Sequence, residues 1–207
     1  MIAMKNDVCS PTKARGRPRA FDRDVALDRA MRLFWERGYE ATSLADLTEA
    51  MGIAAPSLYA AFGDKEDLFR LSIDLYETRY ATDMVGRLNS APDTRQAIEA
   101  LLRGAADNLS HTDRPRGCMV VAAGTNCTNS AVRQSLTDKR NASMKLVEDR
   151  IRRGMEAGDV ASSADPAALA RFYSAVFHGM SAQARDGASH EDLMAIVTAS
   201  MRAWPSA

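Results

Sequence analysis

The sequence predicts an all-α protein with a small N-terminal unit and a larger helical unit behind it. Three observations carry this. No strand signal appears beyond Phe69, apolar residues there keep a helical period in segment after segment, and residues 42 to 62 read as two short helices hinged at Gly52. The 207 residues divide into a basic arm (1–20), a helix-turn-helix unit (21–66) and a larger helical unit (67–207).

The first helix begins at Asp22, a suitable N-cap, and carries Ala26, Ala30, Leu33 and Phe34 at i, i+4, i+7 and i+8, the stripe of a surface helix packed on a small core. Gly38 stops it. Thr42 or Ser43 caps the second helix, whose Leu44, Leu47 and Met51 share one face, and Gly52 ends it. After the turn, Ile53 is an apolar plug, Pro56 suits a first helical turn, and Leu58 and Phe62 face inward four residues apart. Ala55, Pro56, Ser57, Tyr59, Ala60 and Ala61 are left to face out. A helix this short is not stable alone in water, and small outward residues with one aromatic hydroxyl allow close approach to a surface. These are the properties of a recognition helix in a helix-turn-helix. Gly63 and Asp64 break that helix, with Asp64 capping a fourth and Asp67 in its first turn, where negative charge suits the helix dipole. Lys65 at the same N-terminus is unfavourable for the dipole and so points to a phosphate partner.

From Gly16 to Phe69 the chain resembles the TetR family of bacterial transcriptional regulators. The resemblance rests on five pieces in order: the basic arm, a first helix ending Leu33-Phe34-Trp35-Glu36-Arg37-Gly38-Tyr39, the Thr42-Ser43 start, Leu58-Tyr59-x-x-Phe62, and Lys65-Glu66-x-Leu68. It implies DNA contacts from Thr42, Ser43, Ala55, Pro56, Ser57, Tyr59 and Ala60, with a backbone phosphate for Lys65. Family members often place histidine or tyrosine directly before the phenylalanine. Ala61 stands there, which shifts base reading towards Tyr59, Ser57 and thymine-methyl contacts from Ala55 or Ala60.

Upstream, Lys13 to Arg19 is basic and interrupted by Gly16 and Pro18, so it is extended without a partner. Arg15, Arg17 and Arg19 on such a backbone suit an A·T-rich minor groove; a solubilising tail is the other reading. The 27 basic residues are matched by 27 acidic ones, which argues against indiscriminate coating of nucleic acid. The N-terminus has no apolar run like that of a signal peptide, and nowhere do the roughly 18 uninterrupted apolar residues of a membrane span occur. The expected location is the cytoplasm.

The fourth helix is expected to run through Leu71, Leu75 and Tyr76 toward Met84, followed by a turn at Asn89–Asp93 and a helix carrying Ile98, Leu101, Leu102 and Leu109. His111–Gly117 reads as a loop and Cys118–Gly124 as a short buried helix. A long helix then spans about residues 128 to 157, with Val132, Leu136, Val147, Ile151 and Met155 inside and Glu148–Arg152 and Asp149–Arg153 paired outside. Asp165-Pro166 opens the next helix, with Leu169, Phe172, Tyr173, Val176, Phe177 and Met180 as its stripe. The last helix carries Leu193, Ile196, Val197, Ser200, Met201 and Trp204. In the family the corresponding helices pair with those of a second subunit, so the expected interface is Leu169, Tyr173, Val176, Phe177, Met180, Leu193, Ile196, Val197, Met201 and Trp204. The alternative is that both stripes bury into their own domain.

One short helix reads only a few base pairs, so a homodimer on a double-stranded palindromic operator is expected. As the resemblance implies, a small-molecule effector in the larger unit releases the DNA. Tyr76, Tyr80, Met84, Leu102, Met119, Met144 and Phe172 are the candidate pocket residues, suiting a small hydrophobic compound, with no charged anchor among them. Cys118 and Cys127 read as small buried hydrophobes; a thiol- or soft-metal-responsive repressor is the alternative. The three cysteines and scattered His111, His178 and His190 match no zinc pattern, and no cofactor is expected. No phosphate-cradling loop, catalytic carboxylate pair or activated nucleophile suggests an enzyme. A helical adaptor that binds no DNA is the third class, and it has no need of the arginine arm.

Overall fold

The computed structural model describes residues 21–124 and 127–205, so Cys9 and the arm with Arg15, Arg17 and Arg19 lie outside the described residues. Regular structure among the described residues is helical. Helix α1 (Arg23–Arg37) starts where the Asp22 carboxylate accepts the Asp24 and Val25 amides, and it ends at Gly38 with φ 80°. Its apolar stripe is broader than the four expected positions: Leu27, Met31 and Trp35 are buried beside Ala26, Ala30 and Phe34. Helix α2 (Leu44–Met51) is fixed by a reciprocal capping box between Ser43 and Asp46, and Gly52 at φ 68° turns the chain in a left-handed conformation open to glycine. Helix α3 (Ala55–Phe62) follows directly, with Pro56 in its first turn.

A second capping box, Asp64 with Asp67, starts α4 (Lys65–Tyr76). The chain then passes through a π-helical turn (Glu77–Ala81) into α5 (Thr82–Ser90) with right-handed helical backbone at each joint. The result is one rod from Lys65 to Ser90, longer than the expected helix. Its first half belongs to the small unit: Phe69 meets Phe34 edge-on at 5.0 Å and Tyr39 at 5.2 Å, over fully buried Leu47, Leu58 and Leu68. A buried phenylalanine such as Phe34 contributes about 3–5 kcal/mol against truncation and each of these leucines about 2–5 kcal/mol, so aromatics and leucines hold this small core together.

The larger unit comprises α6 (Thr94–Leu109), α7 (Met119–Ala122), α8 (Ser130–Ala157), α9 (Pro166–Arg185) and α10 (His190–Met201). Asp93, Asn129, Asp165 and Ser189 cap α6, α8, α9 and α10 in turn. Because Asn129 accepts the Val132 amide, α8 begins at Ser130, two residues after the expected start. On its outer face Glu148 pairs with Arg152 as expected, but Asp149 pairs with Lys145 and Arg153 reaches Asn89. Ile98, Leu102, Met119, Leu136, Ile151, Tyr173, Met180, Leu193 and Val197 fill the core. The two units are bolted together through α1. Trp35 packs on Tyr76 and Tyr80 at 4.8 and 5.3 Å and donates its indole N–H to the Gly117 carbonyl at 3.1 Å.

Much of the expected interface is taken up inside the protomer. Tyr173, Met180, Leu193, Val197 and Met201 are buried within the protomer and have almost no surface to give a partner. Trp204 packs against Tyr173 with the rings tilted and 5.8 Å apart, and Leu169, Val176, Phe177 and Ile196 are only partly exposed. The large side chains of both stripes therefore serve their own domain. The open face of α9 carries Phe172, Ala175, Gly179 and Ala182, and that of α10 carries Ala195, Thr198 and Ala199.

Candidate nucleic-acid interface and effector cavity

Leu58 and Phe62 anchor α3 in the core, which turns Ala55, Pro56, Tyr59 and Ala60 to solvent and leaves Ser57 half-buried. Tyr59 is 50% exposed, a large aromatic ring standing on an otherwise low surface. Ser43 is exposed at the start of α2 with its hydroxyl committed to the Asp46 cap. Thr42 is a correction: it is fully buried, and its hydroxyl donates to the Gly38 carbonyl at 2.7 Å, so it closes the α1–α2 turn and offers nothing to DNA. Lys65 also has a partner that the sequence did not reveal. Its ammonium sits 4.2 Å from the centre of the Tyr39 ring, and partial burial lowers its pKa. A phosphate has to compete with that ring.

Behind the reading head, Glu40 bridges the two units. One of its carboxylate oxygens accepts the Thr128 amide and hydroxyl, each at 2.7 Å, and the Asn129 amide at 2.9 Å, just before α8. These donors hold its pKa down at about 2, with the Thr128 hydroxyl bond the leading cause. On the other side Arg185 of α9 donates to the Trp35 and Glu36 carbonyls at 3.1 and 3.0 Å, placing positive charge on the C-terminal end of α1. Neither contact was legible in the sequence, since each joins residues nearly ninety or more positions apart.

A cavity of about 150 Å³ lies where the π-helical turn passes α8 and α9. Tyr76, Tyr80 and Met84 line it as expected, together with Tyr173 and Phe177 from the expected interface. Four candidates lie outside this lining. Leu102 and Met119 are fully buried core, Phe172 is 41% exposed on the outer face of α9, and Met144 is half-buried but does not reach the lining. The lining also includes Arg140, Ser143, Ser174 and His178, polar groups that periodicity could not assign to this wall. Burial, with Arg140 nearby, lowers the His178 pKa and keeps its imidazole neutral near pH 7. A larger hollow of about 430 Å³ opens between the units beside Glu40, Cys127 and Arg185. Charged Arg37, Glu40, Arg185 and Asp186 stand in its mixed wall, whereas the smaller cavity has the predominantly apolar walls that hold a small molecule.

The Cys118 and Cys127 thiols are buried, and desolvation is the main cause that pushes each pKa up. This works against the reactive thiolate that a sensor needs. Among the described residues no group of three His, Cys, Asp or Glu side chains is placed to hold a metal.

The family model for the N-terminal domain of the bacterial regulatory proteins, tetR family, matches residues 26–71, and that for the tetracyclin repressor-like C-terminal domain matches residues 94–199. The chain belongs to the TetR family. It is therefore a DNA-binding transcriptional regulator and not an enzyme. Among TetR-family relatives, the HTH-type transcriptional repressor ComR of Escherichia coli (strain K12) is 38% identical over 93% of each chain. The repressor BdcR of the same organism is 32% identical over 89% of each. A cysteine variant of the TetR family regulator CifR, solved in complex with 26-bp double-strand operator DNA, superposes with a TM-score of 0.89 at 47% identity, covering 92% of this chain and all of that one. No described helix of this TetR-family chain is long and apolar enough to cross a membrane.

Proposed function

We propose that the protein is a homodimeric repressor that reads a palindromic operator with α3 and lets go when a small hydrophobic effector enters the cavity at the π-helical turn. The observation that carries the DNA reading is the outward face of α3. Small Ala55, Pro56 and Ala60 allow the helix to sit deep in a major groove, and exposed Tyr59 reaches the bases. The sign of regulation follows the repressors ComR and BdcR. The expected division at residues 66/67 falls inside the rod, whose first half packs in the small core through Leu68 and Phe69 before the chain enters the larger unit.

Gly179 supports dimerisation through the open face of α9 and α10. A methyl group placed on it meets no atom of the protomer within 4 Å, so nothing inside the protomer requires glycine there. In mid-helix it costs about 1 kcal/mol relative to alanine, and close approach of a second backbone gives the reason to keep it. Two-fold pairing sets the heads about one helical turn apart, about 34 Å. The effector reading rests on the apolar cavity wall, with Tyr80 and Ala81 standing on the same rod that carries the head.

Selection of random duplex DNA by the purified protein at near-physiological salt, followed by sequencing of the bound pool, tests this. A palindrome with two half-sites is the expected outcome, and enrichment of single, unpaired half-sites would refute the dimeric mode.

A further inference from the structure

Resting on the effector reading of this cavity, we infer that its ligand is a small hydrophobic monoanion, a single-ring aromatic carboxylate held by Arg140. Size, wall and charge all point to this class. A cavity of about 150 Å³ is the volume in which an apolar protein site takes up one benzene ring. Its walls supply that ring with Tyr80, Met84, Leu146 and Phe177.

Charge selects the rest of the molecule. Two formally charged side chains line the cavity, Glu77 and Arg140. Glu77 is answered, because the Lys139 ammonium lies 2.5 Å from its carboxylate while also reaching Asp74 at 3.2 Å. Arg140 is not. Its guanidinium donates from Nη1 to the Val120 carbonyl at 3.2 Å and from Nη2 to the Thr137 hydroxyl at 3.0 Å, both neutral acceptors. Among the described residues no carboxylate stands within ion-pairing distance of it. Of its five N–H groups, these bonds use two and leave a fork able to take a carboxylate. Neutral His178 and the hydroxyls of Ser143 and Ser174 complete the polar lining without adding an anion. A partly desolvated guanidinium in an apolar wall favours an anionic guest over a neutral one of the same shape.

Calorimetry on the full-length protein with benzoate, benzamide and indole as probes tests this. Benzoate is expected to bind, its neutral isostere benzamide about tenfold or more weakly. Arg140→Gln should weaken benzoate by about tenfold or more and leave benzamide unchanged, with melting temperature as the check on folding. Arg140→Lys, which keeps the charge and loses the fork, should fall between; it serves as the test variant if Arg140→Gln does not fold. Equal affinity for benzoate and benzamide, or benzoate binding indifferent to both Arg140 variants, overturns the anionic class. Binding of indole or benzamide without benzoate overturns it too, while leaving a neutral-effector cavity standing. Binding of none of the three overturns the class and removes the support for the cavity as well.

Discussion

Tyr59 keeps half of its surface in solvent while Leu58, its neighbour in sequence, keeps none. Removing the Tyr59 ring should therefore spare the fold and cost the DNA contact. With a specific base contact worth about 1–3 kcal/mol, Tyr59→Ala is expected to lower operator affinity by about tenfold to a hundredfold, measured by fluorescence anisotropy on the selected palindrome, with an unchanged melting temperature. Unaltered affinity would remove α3 as the reading helix. At this scale the sequence is informative where a residue's role is local. Ser43 and Asp64 cap because short polar side chains next to an apolar period have little else to do. It misleads where the partner is distant or the choice is between neighbours. Thr42 and Ser43 are equivalent by type, and only the depth of the α1–α2 turn sends one hydroxyl inward to Gly38. Lys65 has the right position for a phosphate but also has Tyr39 within reach.

Among the elements, most helix starts were legible to within about two residues because asparagine, aspartate and serine cap them, whereas the fourth helix runs on past the expected Met84 to Ser90 and the last stops at Met201, short of Trp204. How the helices meet was not. The Glu40 bridge joins the α1–α2 turn to the entry of α8, and nothing in the local pattern of either segment announces it. Its titration gives a test. The folded-state pKa of Glu40 lies below its ordinary value, so the bridge contributes fully at neutral pH and is lost as pH falls from 4.5 toward about 2. Lys65, Glu66 and Cys127 lie close by, but the bonds from Thr128 and Asn129 dominate the shift. Glu40→Gln is expected to be less stable than the parent to urea at pH 7 and to converge on it as pH falls through that window. A stability difference that persists at the acid end would show that the carboxylate charge is not what holds the two units together.

For the whole molecule, the all-helical architecture and its two units were readable because every long segment has one apolar face. The same rule does not locate a dimer seam: an apolar stripe reports what a helix buries, and α9 and α10 spend much of theirs on their own core through Tyr173, Met180, Leu193 and Val197. A surface of alanine and glycine is nearly silent in such a pattern. Gly179→Leu puts bulk on that surface without touching the protomer's interior. The expected result is a folded monomer in sedimentation velocity with operator affinity reduced by at least about tenfold; a dimer of undiminished affinity would place the interface elsewhere.

The unbroken path from Lys65 to Ser90 makes the two units a mechanical lever with its fulcrum at the wide turn Glu77–Ala81. At 1.5 Å per residue this rod is about 39 Å long. A swing of about 10° about that fulcrum moves Lys65, about 18 Å away along the helix, through an arc of about 3 Å, close to the 3.4 Å between successive base pairs. In the proposed effector reading, a tilt of that size at the fulcrum equals about one base-pair step at the DNA, which is enough for paired heads to miss their half-sites.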